Sequence, residues 1–116
     1  MIKIAILIRE ETTQKCTGNG CLKSFNQKSE SFARYQGTDI ELVGFFHNGG
    51  DLDYKIQKIK DAGVDVIHVS TCMRAKYEDY EELVHRLAKD FDVIGYTHGS
   101  KEGKTRNTVS VTGKRQ

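Results

Sequence analysis

Four short runs rich in β-branched residues, at 2–8, 40–46, 64–70 and 93–97, constrain this chain more than any other feature. Each is nearly continuous in hydrophobicity, as expected of strands buried on both faces rather than one. Helical patterns lie between them. Residues 21–35 carry Leu22, Phe25, Phe32 and Ala33. Residues 51–62 place Leu52, Ile56 and Ile59 on one face, with Gly63 set to end the helix. Residues 76–89 carry the stripe Tyr80, Leu83, Val84 and Leu87. The alternation β-α-β-α-β-α-β predicts an α/β domain: a four-stranded parallel sheet with right-handed crossovers and helices on both faces, a three-layer flavodoxin- or Rossmann-like arrangement.

A chain of 116 residues suits a single domain of this kind. We place it at 1–98, followed by a basic tail at 99–116. The tail holds Lys101, Lys104, Arg106, Lys114 and Arg115 against Glu102 alone, a net +4, and the preceding residues carry the compensating −2 of the overall +2. Val109 and Val111 alternate with polar residues, so 107–112 reads as an edge strand or as disordered chain, with the balance towards disorder. The tail has no aromatic residue to stack on a base, which disfavours nucleic acid as a partner. No stretch approaches the roughly 20 apolar residues of a membrane span. The chain enters a strand at once, without the pattern of a signal peptide, and we expect a cytoplasmic, reducing location with free thiols.

Sites in open parallel sheets form at the carboxyl ends of the strands, at the switch in strand order. The reactive residues collect there. Cys16 and Cys21 follow the first strand, His47 and Asp51 the second, Cys72 the third and His98 the fourth. The opposite connections hold neither Cys nor His. With strand order 2-1-3-4, the loops of strands one and three bring the three cysteines together. His98 then lies one strand further out, and His47 on the other side. Strands two and four are about 14 Å apart, three spacings of about 4.8 Å, while a metal ligand must come within about 2.0–2.3 Å of its ion. The expected set is therefore the three thiolates of Cys16, Cys21 and Cys72 plus one histidine, His98 or His47. His68, inside a strand, reads as a core histidine with its hydrogen bonds satisfied, and His85 as a surface residue.

At this point the segments "KCTGNGCLKSF" (15–25), "ELVGFFHNGG" (41–50), "GVDVIHVSTC" (63–72) and "GYTH" (95–98) resemble the CGGC-domain proteins, small prokaryotic proteins of uncharacterised activity. The resemblance implies a metal site, with zinc as the expected ion. The chain departs from the family pattern. Where the family carries Cys-Gly-Gly-Cys, it reads Asn48-Gly49-Gly50-Asp51, and Arg9 and Glu10 stand where the family tends to have a cysteine. What matches is Cys16, Cys21, Cys72 and His98, so the resemblance implies His98 as the fourth ligand, with His47 and Asp51 as supporting or substitute groups at the rim. Asparagine is a poor ligand for soft metals, and aspartate favours harder ions, so one zinc on the four matching residues, or a member that has lost its metal, are the readings the resemblance leaves.

Two rivals stand beside metal binding. Cys21 near a helix N-terminus would be favoured as a thiolate by the macrodipole, with Cys72 as a disulfide partner, giving a thiol-redox module. "TGNGC" places Gly18 and Gly20 before a helix, where backbone N–H groups can cradle a small anion or nucleotide. No Ser/His/Asp set or carboxylate pair marks an enzyme. A small molecule or protein partner, and a homodimer, are open.

Overall fold

The computed structural model describes residues 1–104 and 106–113. Strands β1 (Ile2–Ile8), β2 (Ile40–His47), β3 (Val66–Val69) and β4 (Asp92–Ile94) form one sheet in the order β2-β1-β3-β4, and all three strand pairs are parallel. The α/β architecture and strand order read from the sequence are those observed. The near-continuous apolar runs of β1 and β3 have the expected cause, since both sheet faces are covered there, whereas β2, at the sheet edge, has no buried residue. Ala5, Leu7, Ile67, Val69 and Val93 pack against α2 (Leu52–Asp61) and α4 (Tyr80–Leu87). Ile4, Ile6 and Val66 face the other way, against α1 (Asn19–Gln27) and a 3₁₀ segment, Glu30–Tyr35. Among the described residues no helix is long and apolar enough to cross a membrane.

The elements differ from expectation in two helices and two strands. The helix predicted over 21–35 breaks after Gln27, where Lys28 is left-handed (φ 50°) and Ser29 N–H returns to the Ser24 carbonyl at 3.0 Å. The chain resumes as the 3₁₀ segment, which buries Ser31, Phe32 and Tyr35. The helix predicted over 76–89 is two helices. Ser70 caps α3 (Thr71–Lys76) by accepting from Met73 N–H, Tyr77 is extended, and α4 begins at Tyr80. Thr71–Arg74, expected as a loop, is thus the start of a helix. β4 is shorter than its apolar run because backbone groups of Gly95–Thr97 take side-chain partners, and β3 ends where Ser70, its N–H still donating to the Leu7 carbonyl, turns to cap α3.

Residues 106–113 run back along β4. Val93 and Val111 exchange both backbone hydrogen bonds, at 2.8 and 2.9 Å, in one antiparallel bridge. Gly113 N–H donates to Asp92 Oδ1 at 2.9 Å. The hydroxyl of Tyr80 donates to the Gly95 carbonyl (2.6 Å) and accepts from Val109 N–H (3.1 Å). Lys114 and Arg115, two of the tail's five basic residues, lie outside the described residues. Gly95 has to be glycine, because a Cβ there would overlap both the Tyr80 hydroxyl and the Val109 carbonyl. Gly95→Ala is expected to cost about 1–3 kcal/mol through overpacking, read from the urea midpoint. Tyr80→Phe, which only removes the hydroxyl, should cost about 1 kcal/mol. A Gly95→Ala midpoint equal to wild type would show that this close approach is not a constraint.

Candidate functional site

The three cysteines reach the carboxyl edge from different elements. Cys16 lies in the loop after β1, behind a 3₁₀ turn at Glu11–Gln14. It is exposed, and its sulfur accepts from Gly18 N–H at 3.3 Å. Cys21 is the third residue of α1 and is buried, with Sγ 3.2 Å from Thr97 Oγ1. Cys72 is half-buried in the first turn of α3, with Sγ 2.9 Å from Ser70 Oγ. Burial pushes the Cys21 thiol up. The Thr97 hydrogen bond opposes that, and negative charge on Cys72 or Cys16 would push it further. Cys72 and Cys16 thus each lie within electrostatic range of Cys21. The thiolate expected at Cys21 from its place at a helix N-terminus is corrected here: desolvation outweighs the favourable dipole.

His98 is half-buried and stands over the start of α1. A Cβ at Gly20 would lie 3.2 Å from its Cδ2 and Nε2, so the missing side chain gives the imidazole its place. Thr71 fixes the His98 backbone, donating to its carbonyl (2.6 Å) and accepting from its N–H (3.1 Å). Thr97 Oγ1 in turn accepts from Thr71 N–H at 3.3 Å. Thr71 and Thr97 thus join β3, β4 and Cys21 in one polar network. Sequence reasoning did not single out either residue. The one usable signal was Ser70-Thr71-Cys72-Met73, a capping serine directly after a strand, which marks a helix start.

Gly18 and Gly20 have uses other than cradling an anion. Gly18 precedes α1 in the left-handed region (φ 81°), and a Cβ there would sit 2.8 Å from the Phe45 ring. Its N–H already goes to Cys16 and that of Asn19 to Thr17 Oγ1 (3.3 Å).

The β2 side of the edge is built differently. His47 Nδ1 accepts from Gly49 N–H at 3.0 Å. Lys55 Nζ lies 3.5 Å from the same nitrogen and donates to the His47 and Gly49 carbonyls at 3.1 and 2.7 Å. An ammonium at that distance disfavours a second cation on His47. Asn48 Oδ1 accepts from Glu10 N–H (2.8 Å), and Asp51 caps α2 by accepting from Tyr54 N–H (3.0 Å). The two positions at which the chain departs from Cys-Gly-Gly-Cys therefore tie one loop to another and start a helix. His85 is exposed on α4.

His68 is fully buried, and burial holds its imidazole neutral, with a pKa lowered to about 3. Ser31 Oγ donates to the Thr97 carbonyl (2.9 Å), so towards His68 Nδ1 (3.1 Å) it can only accept. Nδ1 therefore carries the proton, with the Tyr96 carbonyl 3.2 Å away, and Nε2 accepts from the Tyr35 hydroxyl at 2.8 Å.

Among the described residues, no group of three or more His, Cys, Asp or Glu is arranged to hold a metal ion. The donor types at the edge, three sulfurs and one imidazole, suit zinc, but each sulfur is turned to a hydrogen-bond partner of its own. Comparisons with curated proteins and with solved structures give no match. The CGGC domain model matches residues 3–98, most of the chain and all four strands, and by that match the chain belongs to the CGGC domain family.

Proposed function

We propose that this domain binds one soft divalent ion of the zinc class through Cys16, Cys21, Cys72 and His98. The observation that supports the reading is the delivery of three thiols and an imidazole, from separate segments, to the same edge of the sheet. Cys16, Cys21, Cys72 and His98 would hold the ion, which would cross-link the segments that carry them. The hydrogen bonds of Cys21 to Thr97 and of Cys72 to Ser70 would have to open for the set to converge. Thiols lose protons on metallation, and Cys21, raised by burial, resists that loss. Uptake should therefore strengthen steeply with pH.

One observation favours a second reading, a member that keeps the fold without the metal: Asn48 and Asp51 have been given structural work. Metal analysis separates the two. Protein purified without chelators and thoroughly desalted is expected to hold zinc at a ratio near one per chain. Cys72→Ser and His98→Ala should each lower that ratio several-fold, and His47→Ala should leave it unchanged. A ratio near zero that added zinc does not raise would overturn the proposal. Loss on His47→Ala equal to that on Cys72→Ser would move the site to the β2 side.

A further inference from the structure

Arg74 is an unusual residue for a small domain. It is 5% exposed, yet none of the ion pairs among the described residues involves it. Buried charges are ordinarily paired, because an uncompensated one is costly. One arm of the guanidinium is occupied. Nη1 donates to the carbonyls of Ser100 (2.9 Å) and Lys101 (3.2 Å) and to Thr108 Oγ1 (2.7 Å), and the guanidinium carbon lies 5.7 Å from the centre of the Tyr96 ring. These partners are neutral. The Nε and Nη2 hydrogens have no acceptor among the described residues, and neither nitrogen is a buried atom left unsatisfied.

A cavity of about 310 Å³ lies between α3 and the tail, lined by Arg74, Thr71, Ser100, Lys104 and Arg106, with Glu102 the one carboxylate. Three cations against one anion leave it net positive. Arg106 also donates to the Tyr77 carbonyl, which anchors it beside α3. The acidic residues Glu78, Asp79, Glu81 and Glu82 line a separate groove with Arg106 and make no ion pair with it. Burial pushes the Tyr80 phenol up; the hydrogen bond with Val109, Arg74 and Arg106 oppose that, and Glu81 adds to it. A planar fork with free donors matches tetrahedral oxyanions in a way a lone ammonium does not.

We propose that this cavity is a binding site for a phosphate-class oxyanion, held by Arg74 with Lys104 and Arg106 at the rim. It uses none of the cysteines. The charge that the fold leaves unneutralised is supplied by the ligand. Thr71 contributes to both places: its hydroxyl is committed to His98, and its position brings the two within one helix turn.

The test is isothermal titration of the full chain with inorganic phosphate at low ionic strength. Saturable one-site binding is expected, competed by sulfate and not reproduced by chloride at matched ionic strength. Lys104→Glu, an exposed change that spares the fold, should weaken it about tenfold or more. Arg74→Lys should abolish it, and if that variant unfolds the Lys104→Glu result still decides. Phenyl phosphate serves as the second arm. Tighter binding than inorganic phosphate assigns the cavity to phosphate monoesters, and equal or weaker binding assigns it to the free ion. No heat beyond the chloride control, or binding that Lys104→Glu leaves intact, would overturn the proposal.

Discussion

Between pH 7 and pH 5 the protein is expected to lose about 2 kcal/mol of stability through His68 alone. The imidazole is buried without a carboxylate in its shell. Ser31, Tyr35 and the Tyr96 carbonyl meet its nitrogens, and Arg34 adds positive charge nearby. Its pKa falls from the ordinary 6.5 to about 3 on folding, mainly by desolvation. The unfolded chain therefore binds a proton that the folded chain refuses. The contribution is fully present above pH 6.5 and is lost as pH falls from there towards 3, reaching roughly 4–5 kcal/mol over the whole window. Urea unfolding at half-unit intervals from pH 7.5 to 5 measures it. His68→Gln, which cannot titrate, should flatten the slope in that range even if it is less stable throughout. Identical slopes for the two proteins would mean that His68 is protonated in the fold.

The second large effect is expected at Phe32. Its ring is fully buried, stacked on His68 at 4.1 Å between centroids and met edge-on by Phe25 at 5.5 Å. Phe32→Ala should cost about 3–5 kcal/mol, from lost transfer energy and the cavity left behind. That is a large share of the 5–15 kcal/mol typical of a domain. Cys21 belongs to the same core cluster, so its alkylation rate should rise alongside the loss of stability. Tyr54→Ala, at a side chain 59% exposed, serves as the control and should stay within about 0.5 kcal/mol. A Phe32→Ala loss below about 1 kcal/mol would show that this layer repacks freely.

The strands were legible because burial on both faces writes itself into sequence as unbroken runs such as residues 2–8 and 64–70. The strand order followed from topology. His68 was legible for the same reason, as a polar residue set in a run with no exposed face. The helix breaks were not. Nothing in the apolar spacing of Leu22, Phe25 and Phe32 marks Lys28 as left-handed, because the break exists to bring Ser31 and Tyr35 onto a histidine 33 to 37 residues away. At the site, the gathering of cysteines at one edge could be read from connectivity alone. Their protonation and partners could not, since Thr97 lies 76 residues from Cys21 and the burial of Cys21 depends on packing. The positions of His47, Asn48 and Asp51 were legible. The work they do depends on Lys55, Glu10 and Tyr54, which no pattern couples to them.

The antiparallel return along β4 has a bearing on where this domain ends. The region shared with the family stops at residue 98, yet Tyr80, Arg74 and Val93 each also take a partner beyond it, at Val109, Thr108 and Val111. A fragment cut at the family boundary would expose an apolar strand edge and strip acceptors from a guanidinium embedded in protein. Inheritance and mechanical self-sufficiency thus have different borders in this molecule, and residues 106–113 belong to the second.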